Sequence, residues 1–245
     1  MTYCVAAKIN DGIVFCSDSR TNGSIDQVGH YSKLHRFSLP DDREIFILSA
    51  GNLGITQSVI QKIRADLSDP SEFNLSNANI LSEVADYLGQ ISVKIQNKYL
   101  ETGPSNGFDA SVTFILGGQI KGEEHDLYLV YPEGNHICPP ADKPFLQIGE
   151  TKYGRPVLER IIRAETVSST VILCLLVSME STLHNNLSVG PPIELLYFEK
   201  NNFTTNHLYF SFEEGNQTLK KLSILWDEKI REAIASLPWL TEIDN

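Results

Sequence analysis

The chain has 245 residues and carries 31 acidic against 20 basic side chains, a net charge of −11. That charge is repelled by phosphate backbones and anionic membrane surfaces, which argues against nucleic-acid binding and against a peripheral membrane role. Hydrophobic residues at 42% beside charged ones at 21% supply a sizeable core and exclude a disordered chain.

The opening is strand-like over 3–9, and Asn10-Asp11-Gly12 separates it from a second apolar run over 13–16. Asp-Gly between two such runs predicts a hairpin, because Gly tolerates the positive φ of a tight turn. A second strand pair is expected over 34–39 and 44–49, joined by Pro40-Asp41-Asp42. The period then changes. Ile55, Val59, Ile63 and Leu67 recur every four residues along one helical face, and Ile80, Val84, Leu88, Ile91, Ile95 and Tyr99 do so over a longer stretch. Ser76 or Asn77 is the expected cap of that longer helix.

A loop is expected over 101–107, then strands over 111–116 and 126–131 closed by the turn at 132–135. Pro156 suits the first turn of a helix whose buried stripe is Val157, Leu158, Ile161 and Ile162. The run over 171–177 is apolar all round, so periodicity leaves buried helix and buried strand both open. It is also far shorter than the ~20 residues that span a bilayer. Strands over 193–198 and 207–212 precede a terminal helix with Leu219, Leu222, Trp226, Ile230, Ala233 and Leu237 on one side.

With no repeat or linker to divide it, residues 1–245 read as one domain. Strand pairs separated by helices, without β-α-β alternation, predict an α+β fold. Its expected form is a four-layer α-β-β-α sandwich of two antiparallel sheets flanked by helices. The N-terminus lacks the basic and apolar regions of a signal peptide. Cys4, Cys16, Cys138 and Cys174 are too scattered for a disulfide framework or zinc site, and read as reduced core thiols of a cytoplasmic protein.

Neither a P-loop, a dinucleotide motif, a histidine metal cluster nor a nucleophile elbow is present; no cofactor or metal is expected, and His30 and His35 read as solvated. The N-terminus itself offers chemistry. Thr2 follows Met1 directly, and a small second residue permits removal of the initiator Met. The freed α-amine, with a pKa of about 7.7–8.0, can take the proton from the hydroxyl of its own residue. Asp18 ends the strand that pairs with the first one, and Lys33 opens a later strand. A nearby Lys⁺ lowers the pKa of hydroxyl and amine, and an Asp holds that Lys charged and oriented. The backbone N–H of Gly51, where a strand runs into a helix, can stabilise an oxyanion. Taken singly, Asp18 and Lys33 read equally well as surface charges, and Gly51 as a turn residue.

Together, Thr2, Asp18-Ser19-Arg20, Lys33 and Ser49-Ala50-Gly51 resemble the proteasome β-subunit family of N-terminal nucleophile (Ntn) hydrolases. The similarity is closest to the bacterial ancestral β subunits, or Anbu. Ile148-Gly149-Glu150-Thr151-Lys152-Tyr153-Gly154 and Ser188-Val189-Gly190-Pro191 look like the same group. The resemblance implies the same sandwich, and places the run at 171–177 in a buried helix. It implies Thr2 as nucleophile and base, Lys33 and Asp18 as the activating pair, Gly51 as oxyanion donor and Ser188 as support for the amine. Asn22, Ser49 and Leu53 match substrate-binding positions. The implied activity is hydrolysis of peptide bonds in peptides or unfolded protein, by a homo-oligomer of many subunits whose unfoldase partner is unknown. The alternatives are an assembly subunit with little proteolysis and an amidohydrolase of small amides. No propeptide precedes Thr2, so Met1 removal alone would activate it. Two departures stand out: Asn185 replaces the usual Asp three residues before Ser188, and Glu150 stands in the usual Gly-Ser-Gly.

Overall fold

The computed structural model describes residues 1–24, 27–39, 42–69, 71–102 and 109–239. Among the described residues, twelve strands and five helices form in the order β1 (Tyr3–Ile9), β2 (Gly12–Ser17), β3 (Arg20–Ser24), β4 (Gln27–His30), β5 (Leu34–Leu39), β6 (Arg43–Gly51), α1 (Leu53–Asp66), α2 (Leu81–Thr102), β7 (Val112–Ile120), β8 (Asp126–Val130), β9 (His136–Ile137), β10 (Phe145–Gly149), α3 (Arg155–Ile161), α4 (Ser168–Asn185), β11 (Ile193–Glu199), β12 (Leu208–Phe212) and α5 (Gln217–Ala235). One antiparallel sheet runs β10-β1-β2-β11-β12 and the other β5-β6-β7-β8-β9, with β3-β4 as a separate hairpin.

Alternation along the strands builds the layers, since successive side chains point to opposite faces. In β1, Tyr3, Val5, Ala7 and Ile9 pack with Leu158, Val171, Leu175 and Met179 of α3 and α4. Cys4 and Ala6 point the other way, into a core shared by the sheets with Phe46, Leu48 and Ile115. The second sheet repeats this: Ile45 and Ile47 face α1 and α2, while Phe46, Leu48 and Ala50 face the first sheet. The result is the four-layer α-β-β-α sandwich. The run at 171–177 lies in α4, buried on most of its circumference.

Several expectations need correction. The hairpin β3-β4 and the strand β10 carry no long apolar run, and β10 follows a segment broken by Pro139, Pro140 and Pro144. Neither Ser76 nor Asn77 caps α2, which begins at Leu81. Both belong instead to a turn organised by buried Asn74, whose Oδ1 accepts from the Ser76 amide at 2.8 Å. Glu83 reaches back from the first turn of α2 to the Asn79 amide at 2.8 Å, as in a capping box. Only the start of α5 docks: Leu219 and Leu222 pack on the core, whereas Ile230, Ile234 and Leu237 are exposed. Cys138 is exposed as well, unlike Cys4, Cys16 and Cys174. Most of the loop at 101–107, and Pro40 and Asp41 of the turn at 40–42, lie outside the described residues. No helix among the described residues is long and apolar enough to cross a membrane.

Candidate active site

β1 and β2 are paired with Cys4 opposite Ser17, so Asp18 emerges beside the start of the chain. The Asp18 amide donates to the Tyr3 carbonyl at 3.1 Å, and the Tyr3 amide donates to Asp18 Oδ1 at 3.0 Å. Lys33, the residue before β5, donates from Nζ to Asp18 Oδ1 at 2.6 Å and to the Arg20 carbonyl at 2.9 Å. Asp18 Oδ2 accepts from the Gly190 amide at 3.2 Å. Both side chains are buried, and the carboxylate satisfies its charge with one ammonium and two backbone amides. Burial pushes the Asp18 carboxyl above its ordinary range, while Lys33 and the amides of Tyr3 and Gly190 pull it down.

Thr2, the residue before β1, is half-buried. Its carbonyl accepts from the Glu150 amide at 2.7 Å. That approach needs Gly149, whose φ is +81° and where a Cβ would lie 2.0 Å from the Thr2 oxygen. Tyr3, the next residue, is anchored from the other side: its hydroxyl lies 2.6 Å from Ser178 Oγ and accepts from Gln147 Nε2 at 2.7 Å.

A cleft of about 350 Å³ opens in front of Thr2, and Lys33, Ser49, Ala50, Gly51 and Leu53 also line it. Gly51 ends β6 with φ +114°, and a Cβ there would lie 2.3 Å from the Ser111 carbonyl; only a glycine lets β6 pass so close to the chain entering β7. Asn52 then caps α1 through its Oδ1, which accepts from the Ile55 amide at 3.3 Å. Helix α1 lends the cleft Gln57, Gln61 and Arg64.

The structure thus gathers Thr2, Lys33, Ser49, Gly51 and Leu53 around one opening, with Asp18 fully buried and bonded to Lys33. The Asn22 side chain lies outside the described residues. Ser188 sits in the turn after α4, where its amide donates to Asn186 Oδ1 at 3.0 Å. Asn185 points away, donating to the Ser181 carbonyl of its own helix at 2.7 Å. Its neighbour Asn186 is buried and donates to Glu150 Oε2 at 3.2 Å. His35, expected to be solvated, also lines the cleft, with Nε2 3.2 Å from Ser49 Oγ. Burial, with a smaller effect from Arg64, lowers its pKa to about 4, so it is neutral at physiological pH. Its position between two apolar strand residues, Leu34 and Phe37, gave no signal for this role.

An Anbu (ancestral beta-subunit) structure from Yersinia bercovieri superposes with TM-score 0.89 at 37% identity, covering 98% of each chain. The chain belongs to the Anbu family. Anbu from Hyphomicrobium sp. strain MC1 is 35% identical with TM-score 0.87, over 98% of this chain and 99% of its own. The helical assembly of the Anbu complex from Pseudomonas aeruginosa is 33% identical with TM-score 0.88, over 97% and 98%. No family model matches the chain, and no curated protein does. These similarities make it a relative of the proteasome-related β subunits with an Ntn-type sandwich.

Proposed function

We propose that the protein is a threonine-type peptidase, which cleaves peptide bonds through an acyl-enzyme on Thr2 after Met1 has been removed. The observation that carries this reading is the buried Lys33–Asp18 pair, bonded to the Tyr3 backbone and opening on the cleft that holds Thr2. In a merely structural subunit, a lysine buried at the floor of a cleft brings a desolvation cost and no return.

The freed amine takes the Thr2 hydroxyl proton as Oγ attacks the substrate carbonyl. Lys33, which lines the same cleft, is assigned to lower the pKa of that hydroxyl, and Asp18 holds Lys33 in place. The Gly51 N–H is assigned to the developing oxyanion. The tetrahedral species then expels the leaving amine, which takes up the proton, and an ester to Thr2 remains. Water activated by the same amine hydrolyses the ester. Ser49 and Leu53 of the cleft wall, and Asn22 by resemblance, are assigned to the substrate backbone and side chain, with Ser188 assigned by resemblance to support the amine.

Incubation of the protein starting at Thr2 with unfolded protein, peptides and small amides tests this. Cleavage of the first two, lost in Thr2→Ala, is expected. Cleavage confined to small amides would instead favour an amidohydrolase.

The same reading includes a homo-oligomer of many subunits. The Pseudomonas aeruginosa relative forms a helical assembly. Here Ile224, Leu225, Ile230 and Ile234 of α5, Leu237 just beyond it, and Leu208 and Phe210 of β12 leave apolar surface exposed, of the kind that protein interfaces cover. Light scattering is expected to give a mass of many chains; a stable monomer at micromolar concentration would contradict it.

A further inference from the structure

Glu150 has an environment that the catalytic scheme above does not use. The residue follows Gly149 at the end of β10, and its amide is bonded to the Thr2 carbonyl at 2.7 Å. The carboxylate is buried, with only 7% of its side chain exposed. Its partners are weak for a buried charge. Asn186 Nδ2 donates to Oε2 at 3.2 Å, and Lys152 Nζ stands 3.8 Å from Oε1 on a side chain that is 79% exposed. A buried carboxylate normally has a close cation.

The position of Met1 shows where a cation can arrive. Its Sδ lies 3.8 Å from the same Asn186 Nδ2 that holds the carboxylate. Asn186 therefore touches both Glu150 and the residue that must be removed. Loss of Met1 empties that contact and puts an ammonium on Thr2, whose carbonyl is already bonded to the Glu150 amide. Asn185 does not take this place, because its side chain is bonded to its own helix.

We propose that Glu150, held by Asn186, is the positioning residue that receives the α-ammonium of Thr2 as an ion pair and holds the amine over its own hydroxyl. This rests on Thr2 being the nucleophile. The charged and titratable groups around Thr2 are then Lys33 with Asp18, Glu150 with exposed Lys152, and His35 and Arg64, which line the cleft with Thr2; the turn after α4 contributes the uncharged Asn186, Leu187 and Ser188, with Arg20 bonded to the Leu187 carbonyl. Lys33 lowers the pKa of the amine and Glu150 raises it, so Glu150 sets the acid limb of the pH profile, where the amine must lose its proton to act as base.

The test is an NMR titration of the Thr2 α-amine in protein produced with Thr2 as its first residue. Glu150→Gln is expected to lower the amine pKa by about one unit, Glu150→Asp by part of that, and Lys152→Ala to leave it unlowered. The acid limb of kcat/KM should move down with it. An amine pKa unchanged in Glu150→Gln or Glu150→Asp would overturn the assignment. Because the titration needs no turnover, an inactive protein that still showed the shift would overturn the peptidase reading and leave the ion pair standing.

Discussion

Two buried carboxylates lie at opposite ends of β6 and its neighbours, and they are handled differently. At the cleft end, Asp18 is paired with Lys33 at 2.6 Å and accepts two backbone amides besides. At the far end, Glu44 lies 3.3 Å from His207 and accepts from Ser38 Oγ at 2.6 Å. Its Oε1, like both ring nitrogens of His207, lacks a hydrogen-bond partner among the described residues. The His207 ring is instead wedged edge-on against Phe46 and Phe198. Burial alone therefore does not mark a site. The first pair is over-determined by hydrogen bonds from separate elements and faces an opening; the second is sealed among aromatic rings.

The largest effect that would sharpen the contrast is on chemistry. Thr2→Ala should reduce peptide hydrolysis by on the order of 10³-fold or more with an unchanged denaturation midpoint, since it removes one small group at the cleft. Thr2→Ser should retain part of the activity. Next comes Lys33→Met, which strands Asp18 as an unpaired buried carboxylate. We expect a loss of about 3–5 kcal/mol in urea unfolding, together with loss of hydrolysis. Glu44→Gln should cost less, about 1–2 kcal/mol, because the amide keeps an acceptor for Ser38 Oγ. The reverse order of these two losses would break the comparison.

Tyr3→Phe is smaller again. It removes the hydroxyl that Ser178 and Gln147 share, an expected cost of about 1 kcal/mol. The smallest effect is that of pH on His35. Its folded pKa, about 4, lies below the ordinary value near 6.5, so the unfolded chain binds the proton first. Stability should fall as pH drops from about 6.5 toward 4, and His35→Asn should flatten that slope in a series of thermal melts.

Elements with a long apolar period were legible in the sequence. The first hairpin, the pairing of β5 with β6 and the helices α1 and α2 all follow from patterns of two or four residues, and burial on one face enforces them. Hairpin β3-β4 and strand β10 were not legible, because they are short and polar or flanked by prolines, and because tertiary contacts decide them. β10 exists where Gly149 lets the chain close on Thr2. The cleft trio could be named from spacing and resemblance. What no spacing carries is which of two adjacent asparagines faces inward: Asn185 ends α4 with its side chain on the helix, and Asn186, one step on, turns toward Glu150. His35 reads as solvated from sequence for the same reason, since an isolated His in a strand has no period of its own.

The central claim is that Thr2, once freed, is a nucleophile activated by the pair beneath it. The intact mass of the purified protein, with and without a covalent inhibitor directed at N-terminal threonine, tests it most directly. The account predicts loss of the Met1 residue and one inhibitor per chain, with no adduct in Thr2→Ala or Lys33→Met. A chain that retains Met1, or one that begins at Thr2 and takes up no inhibitor, would contradict it.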